Sequence, residues 1–132
     1  MISRFDQSTG IWPLLVLAAH NRQVLTYDLL GRLIGVPASD LGRLLEPIQS
    51  HCILKDLPPL TSLVVSARTG LPGAGFIAAD NLPQAQAETF LFDWLACPVP
   101  SREDFRTAVE RLPSLGLSLT ALMGQSGSKT PA

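Results

Sequence analysis

Few residues in this chain have the chemistry to act as nucleophile, base or metal ligand. There are two cysteines, Cys52 and Cys97, and two histidines, His20 and His51. Cys52 follows His51 directly, but adjacent residues of a helix point in different directions, so a thiolate-imidazole dyad would have to join Cys52 to His20 across two helices. Cys52 and Cys97 both lie beside apolar residues and read as buried small hydrophobes of a reducing compartment, and a lone helical histidine reads as a satisfied structural residue. No metal-ligand or redox spacing is present, so neither metal nor cofactor is expected, and a Cys52–Cys97 disulfide would require export. The acidic set Glu103, Asp104 and Glu110 is interleaved with Arg102, Arg106 and Arg111, the pattern of an ion-paired, solvated helix face. Between Gly70 and Gly75 the chain is rich in glycine and proline. No βαβ arrangement precedes this stretch and no Lys-Ser/Thr pair follows it, which argues against a phosphate-binding loop.

What remains is binding chemistry. Arg43 and Arg68 are the basic residues best placed in the pattern to meet phosphate, and Leu57, Pro58, Pro59, Leu60, Leu71 and Pro72 form an apolar Leu-Pro set suited to a protein partner. Composition limits both. The chain has 132 residues, 46% hydrophobic and 16% charged, with a net charge of −1. Disorder, a highly charged coiled coil and a polybasic tail are excluded by these values, and no global electrostatic pull on DNA is expected. Residues 1–79 carry six basic and five acidic side chains, so the candidate binding half is close to neutral. Ile11 to Ala19 has the length of a signal-peptide apolar region, but its leader is polar and Pro13 suits a first helical turn. The stretch reads as a core helix, too short to span a membrane, in a cytoplasmic protein.

These residues are positioned by a series of predicted elements. A first helix runs from Ile11 to Arg22, capped by Ser8 or Thr9, with Leu14, Leu15, Leu17 and Ala18 inward. Val24 and Leu25 form an extended step. Thr26 caps a helix from Tyr27 to Ile34, ended by Gly35 and Pro37. A third helix covers 38–51, presents Leu41, Leu44, Leu45 and Ile48 inward, and is kinked or divided at Pro47. Thr61 to Ser66 reads as a strand, and Ala67 to Gly70 as its turn. A helix from Pro83 to Ala96 carries Ala87, Phe90, Leu91, Trp94 and Leu95 on one face. Ser101 and Asp104 form a reciprocal cap on a helix to Leu112. Leu115, Leu117, Leu119 and Leu122 suggest a short last helix or arm, and residues 124–132 a flexible tail.

A Tyr-led helix (Tyr27-Asp28-Leu29-Leu30), a second helix with Leu41-Gly42, a proline-containing strand entry, a glycine-rich loop and a helix ending Phe92-Asp93-Trp94-Leu95 follow one another in that order. From Gln23 to Ala96 the chain thereby resembles the C-terminal winged-helix domain of alkylguanine-DNA alkyltransferases and alkyltransferase-like proteins. In that family the strand entry reads Pro-Cys-His-Arg-Val-Val, and the ungapped match here is Pro59-Leu60-Thr61-Ser62-Leu63-Val64. Leu60 takes the place of the reactive cysteine, so the resemblance implies no alkyl transfer. The arginine that fills the base stack falls at Ser39, and Tyr27 matches the tyrosine that contacts phosphate. Arg43, one turn further along, offers a replacement basic contact, although Asp40 and Glu46 are spaced to pair with it.

The resulting expectation is a mainly α fold with a small β wing: a winged-helix (helix-turn-helix) core with extra C-terminal helices, residues 1–123 forming a single domain. It is expected to be non-enzymatic and to bind DNA as a regulator. Helix 38–51 is the recognition element and Arg68-Thr69-Gly70 the wing tip, with Tyr27, Ser39, Arg43, Arg68 and Thr69 as contacts. The competing expectation is a protein-interaction or inhibitor module using the Leu-Pro surface.

Overall fold

Ser3 and Asp6 start the first helix. Asp6 N–H donates to Ser3 Oγ at 3.2 Å and Ser3 N–H to the Asp6 carboxylate at 3.3 Å, a capping box that satisfies two end groups at once. In this computed structural model, which describes residues 3–73 and 76–112, α1 therefore spans Arg4–His20. The expected start at Ile11 with Ser8 or Thr9 as cap is corrected. Ser8 lies inside the helix, buried, and Pro13 sits mid-helix, where its ring is exposed. The apolar run Ile11 to Ala19 supplies the centre of the core through Ile11, Trp12, Leu15, Ala18 and Ala19.

Two-residue strands β1 (Leu25–Thr26) and β2 (Val64–Val65) pair in parallel, with Leu25 opposite Val64 and Thr26 opposite Val65. β1 is short because Thr26 is already the cap of α2 (Tyr27–Ile34), its Oγ1 accepting from Leu29 N–H at 3.1 Å. Gly35 ends α2 in the left-handed region at φ 79°, as expected for a glycine stop. The corner after it is tight: a Cβ on Gly31 would lie 2.7 Å from the Val36 carbonyl oxygen.

A 3₁₀ turn at Ala38–Asp40 leads into α3 (Leu41–Leu54). Pro47 does not divide this helix. The carbonyl that Pro47 cannot pair with, that of Arg43, accepts instead from Arg4 Nη1 at 3.2 Å, so α1 repairs α3. Ser8 Oγ adds a donor to the Leu44 carbonyl at 2.7 Å. Leu41, Leu44, Leu45 and Ile48 face the core as expected.

The stretch expected to be a strand, Thr61 to Ser66, is mostly a buried 3₁₀ turn, Leu60–Leu63, with only Val64 and Val65 extended. Ser62 N–H reaches back to the Pro59 carbonyl at 2.9 Å, and the two-residue β1 offers no longer partner. β-Branched composition is overruled by that local bond and by burial. Helix α4 covers Leu82–Leu91, stops five residues before the expected end at Ala96, and is followed by a 3₁₀ turn at Trp94–Ala96. A last helix, α5, covers residues 102–112, capped by Ser101 and Asp104 as expected, with Asp104 N–H donating to Ser101 Oγ at 3.1 Å.

The described residues are thus mainly helical with one small sheet, and α1 lies at the centre against α3, α4 and the 60–63 turn. No described helix is long and apolar enough to cross a membrane. The arm at Leu115 to Leu122 and the tail from Gly124 lie outside the described residues.

Candidate functional site

The thiol chemistry is not assembled. Cys52 is 1% exposed and burial pushes its thiol up to about 12, so it carries no thiolate at neutral pH. His20 is exposed at the end of α1, away from any role as its base. Cys97 is half-buried rather than buried, and desolvation raises its thiol too. His51 is the buried histidine. Its ring meets Trp12 and Phe105 edge-on, each at 5.7 Å between centroids, and its Nδ1 has no hydrogen-bond partner among the described residues. Burial holds the imidazole below its usual value, against the opposing pull of Asp104. Among the described residues no group of three or more His, Cys, Asp or Glu side chains is placed to hold a metal ion.

The helix-turn-helix residues fall at separate places. Tyr27 packs its ring against the core, and its hydroxyl oxygen accepts from Gly73 N–H at 2.6 Å, which ties the glycine-rich loop to the start of α2. Ile77 N–H donates to Gln49 Oε1 at 3.0 Å and ties the same loop to α3. Arg68 and Thr69 are exposed on the turn that Ser66 N–H closes onto the Leu71 carbonyl at 2.9 Å. Ser39, Asp40, Gly42, Arg43 and Glu46 are exposed around the start of α3, whereas residues 47–52 are all buried. Of the helix 38–51 expected to be the recognition element, only residues near its start are exposed. The expected pairing of Arg43 with Asp40 and Glu46 is also corrected: Glu46 Oε1 is held by Arg4 Nη1 at 3.0 Å, and Arg43 makes no ion pair among the described residues.

The Leu-Pro set divides three ways. Leu60 is fully buried in the core and is no contact residue. Leu71 and Pro72 sit on the glycine-rich loop. Leu57, Pro58 and Pro59 form one wall of a cleft of about 700 Å³, whose other sides come from Ala78 and Ala79 and from Ala85, Leu91 and Phe92 of α4 and its end. Asp56, Asn81, Gln84 and Glu88 supply its polar lining.

Thr89 fixes the geometry of this cleft. It is fully buried, and its Oγ1 donates to the Ala85 carbonyl at 2.7 Å with the Pro59 carbonyl at 3.2 Å and Ser62 Oγ at 3.5 Å. Gln86 Nε2 donates to the Ser62 carbonyl at 2.9 Å, and Trp94 Nε1 to the Thr89 carbonyl at 2.8 Å. The segment before the 60–63 turn and α4 are thereby held together by buried polar bonds, which fixes the wall spacing. Phe92 leaves the helix at ψ 142° and meets Trp94 at a tilt of 59°, 4.6 Å between ring centroids. The face expected to be buried is corrected: Ala87 and Leu91 are exposed on the outward stripe of α4 with Gln84 and Glu88, and beyond the break Leu95 is exposed while Trp94 is buried.

Sequence reasoning missed Ala78, Ala79, Gln84, Glu88 and Phe92 as lining residues. Their one signal was the polar stripe Gln84-Glu88 at helical spacing, which marks the outward face of α4 that Leu91 shares. The cleft can desolvate an apolar side chain and place polar groups around it, and its described lining holds no thiol, hydroxyl or imidazole. No protein-family model, curated protein or solved structure matches this chain.

Proposed function

We propose that this chain is a non-enzymatic, cytoplasmic interaction module whose cleft receives an apolar segment of another protein. The observation that carries this reading is the juxtaposition of Leu57, Pro58 and Pro59 with Leu91 and Phe92 in one open cleft, with Leu91 three-quarters exposed at its edge. One exposed leucine beside half-buried apolar residues that line a concavity supports a contact surface, which a single scattered leucine would not.

A second reading, DNA binding through the start of α3, is favoured by Arg43, whose guanidinium is left without an acidic partner because Arg4 engages Glu46. Tyr27 supports it as well, since a phenol that accepts from Gly73 keeps its own proton to donate to phosphate. The likeness to the alkyltransferase winged-helix domain points the same way. It ranks second because Asp28 on α2 and Asp40 just before α3 are exposed beside these contacts and repel a phosphate backbone.

Selection of a random peptide library on the immobilised protein tests the first reading. Peptides enriched on the wild type are expected to be lost on Leu91→Asp and kept on Arg43→Ala. Equal retention on both variants overturns it. A gel shift of duplex DNA at about 50 mM salt, lost in Arg43→Ala and weakened steeply by about 200 mM, establishes the second reading instead.

A further inference from the structure

We infer that the segment taken by the cleft is cationic as well as apolar: a Lys- or Arg-bearing stretch with an aliphatic or proline anchor. This rests on the reading of the cleft as a protein-binding site and adds what that site selects.

The argument is charge complementarity. Of the cleft's described lining residues the charged ones are Asp56 and Glu88, both acidic, one beside the Leu57–Pro59 wall and one on α4. Both are exposed, and neither is neutralised by an ion pair among the described residues; Glu88 only accepts from Gln84 Nε2 at 3.2 Å. Asp80 and Asp93, also exposed, flank the lining residues Ala79, Asn81 and Phe92 in the chain. From Asp56 to Val99 the sequence holds four acidic residues against the single base Arg68, while Lys55 stands immediately before Asp56. An apolar floor between carboxylates of one sign attracts a segment whose anchor is buried while its cationic head stays at the rim in water. It disfavours acidic peptides and phosphate backbones for the same reason.

The side chains allow a clean test. Asp56 has φ 55°, a conformation that asparagine also tolerates, so Asp56→Asn removes charge without straining the backbone. Glu88→Gln keeps an oxygen that can accept from Gln84. Three fluorescein-labelled peptides share one Leu-Pro frame and carry Lys, Gln or Glu at the same two positions. Fluorescence polarisation is expected to give affinities in the order Lys, Gln, Glu, with several-fold to about tenfold between Lys and Gln at low salt. The gap should narrow between about 20 and 300 mM salt. The Asp56→Asn/Glu88→Gln double variant should bind the Lys and Gln peptides alike.

Equal binding of all three peptides by the wild type, lost in Leu91→Asp, overturns the cationic preference and leaves the cleft reading standing. Absence of binding up to about 1 mM, or binding that Leu91→Asp does not affect, overturns both. Self-association in sedimentation that Leu91→Asp abolishes identifies the occupant as a second copy and overturns the inference.

Discussion

Arg4 Nη1 donates to the Arg43 carbonyl at 3.2 Å, supplying from another helix the hydrogen bond that Pro47 removes from α3. The same nitrogen meets Glu46 at 3.0 Å. A proline inside a helix normally leaves a carbonyl without its donor, and here the first helix carries that donor across a sequence gap of 39 residues. Arg4→Ala is expected to lower stability by about 1–2 kcal/mol in urea unfolding, whereas Glu46→Ala costs about 0.5 kcal/mol or less. In a Pro47→Ala background the Arg4→Ala loss should shrink, because alanine restores the helical donor. An undiminished loss in that double-mutant cycle would locate the effect elsewhere.

Tyr27→Phe should leave the fold intact and cost about 0.5–1.5 kcal/mol, since the Gly73 N–H it abandons can turn to water. Its signature is local. Amide exchange at Gly73 should accelerate while that of Leu30 and Leu44 stays protected. Gly73→Ala should loosen the loop similarly, because a Cβ there would lie 2.9 Å from the Tyr27 hydroxyl oxygen.

His51 makes stability pH-dependent with a defined sign. Its folded pKa lies below the usual value near 6.5, so in that range the unfolded chain binds more protons than the folded one. The His51 contribution is complete above about pH 6.5 and is lost as pH falls through the depressed folded value. Melting temperature should drop between about pH 7.5 and 5 in the wild type, and less in His51→Phe. Equal slopes in the two proteins would show that the imidazole is not the proton-linked group.

Thiol accessibility should separate the cysteines. An aromatic disulfide reagent should titrate Cys97 in the native protein, more slowly than a free thiol, and Cys52 only on unfolding, because burial pushes the Cys52 thiol up to about 12. Incubation with an alkylated-guanine oligonucleotide should add no alkyl mass to either cysteine. A mass gain on Cys52 would contradict its burial.

Thr89→Val keeps the shape of a buried side chain and removes the hydroxyl that links Ala85, Pro59 and Ser62. A loss of about 1–3 kcal/mol is expected, as Ser62 Oγ is left buried with a weakened set of partners. Peptide affinity at the cleft should fall with it, since the spacing between the Leu57–Pro59 wall and α4 depends on those bonds. Full affinity in a destabilised Thr89→Val protein would show that the cleft holds its shape without them.

Much of the local structure was legible along the chain. Thr26 as cap, Gly35 as stop and the reciprocal Ser101–Asp104 pair each depend on residues within one turn of each other, and such bonds form wherever the sequence places them. The inward set Leu41, Leu44, Leu45 and Ile48 was legible for the same reason, because helical period alone puts those residues on one face. The first helix begins seven residues before Ile11 because the Ser3–Asp6 box caps it at Arg4 and Pro13 is tolerated in its interior.

The sequence by itself determined a mainly helical chain, its caps and stops, and the poverty of its catalytic inventory. Only the tertiary structure decided what happens to Pro47, to Leu60 and to Trp94. Pro47 is tolerated because Arg4 arrives from α1; Leu60 is core because the 60–63 turn packs against α1 and α4; Trp94 is core and Leu95 surface because α4 breaks at Phe92 and lets Trp94 fold back onto Thr89. Each outcome depends on a partner tens of residues away or on where a helix ends. Periodicity carries no information about either, and that is why the cleft was visible only as disconnected leucines and prolines.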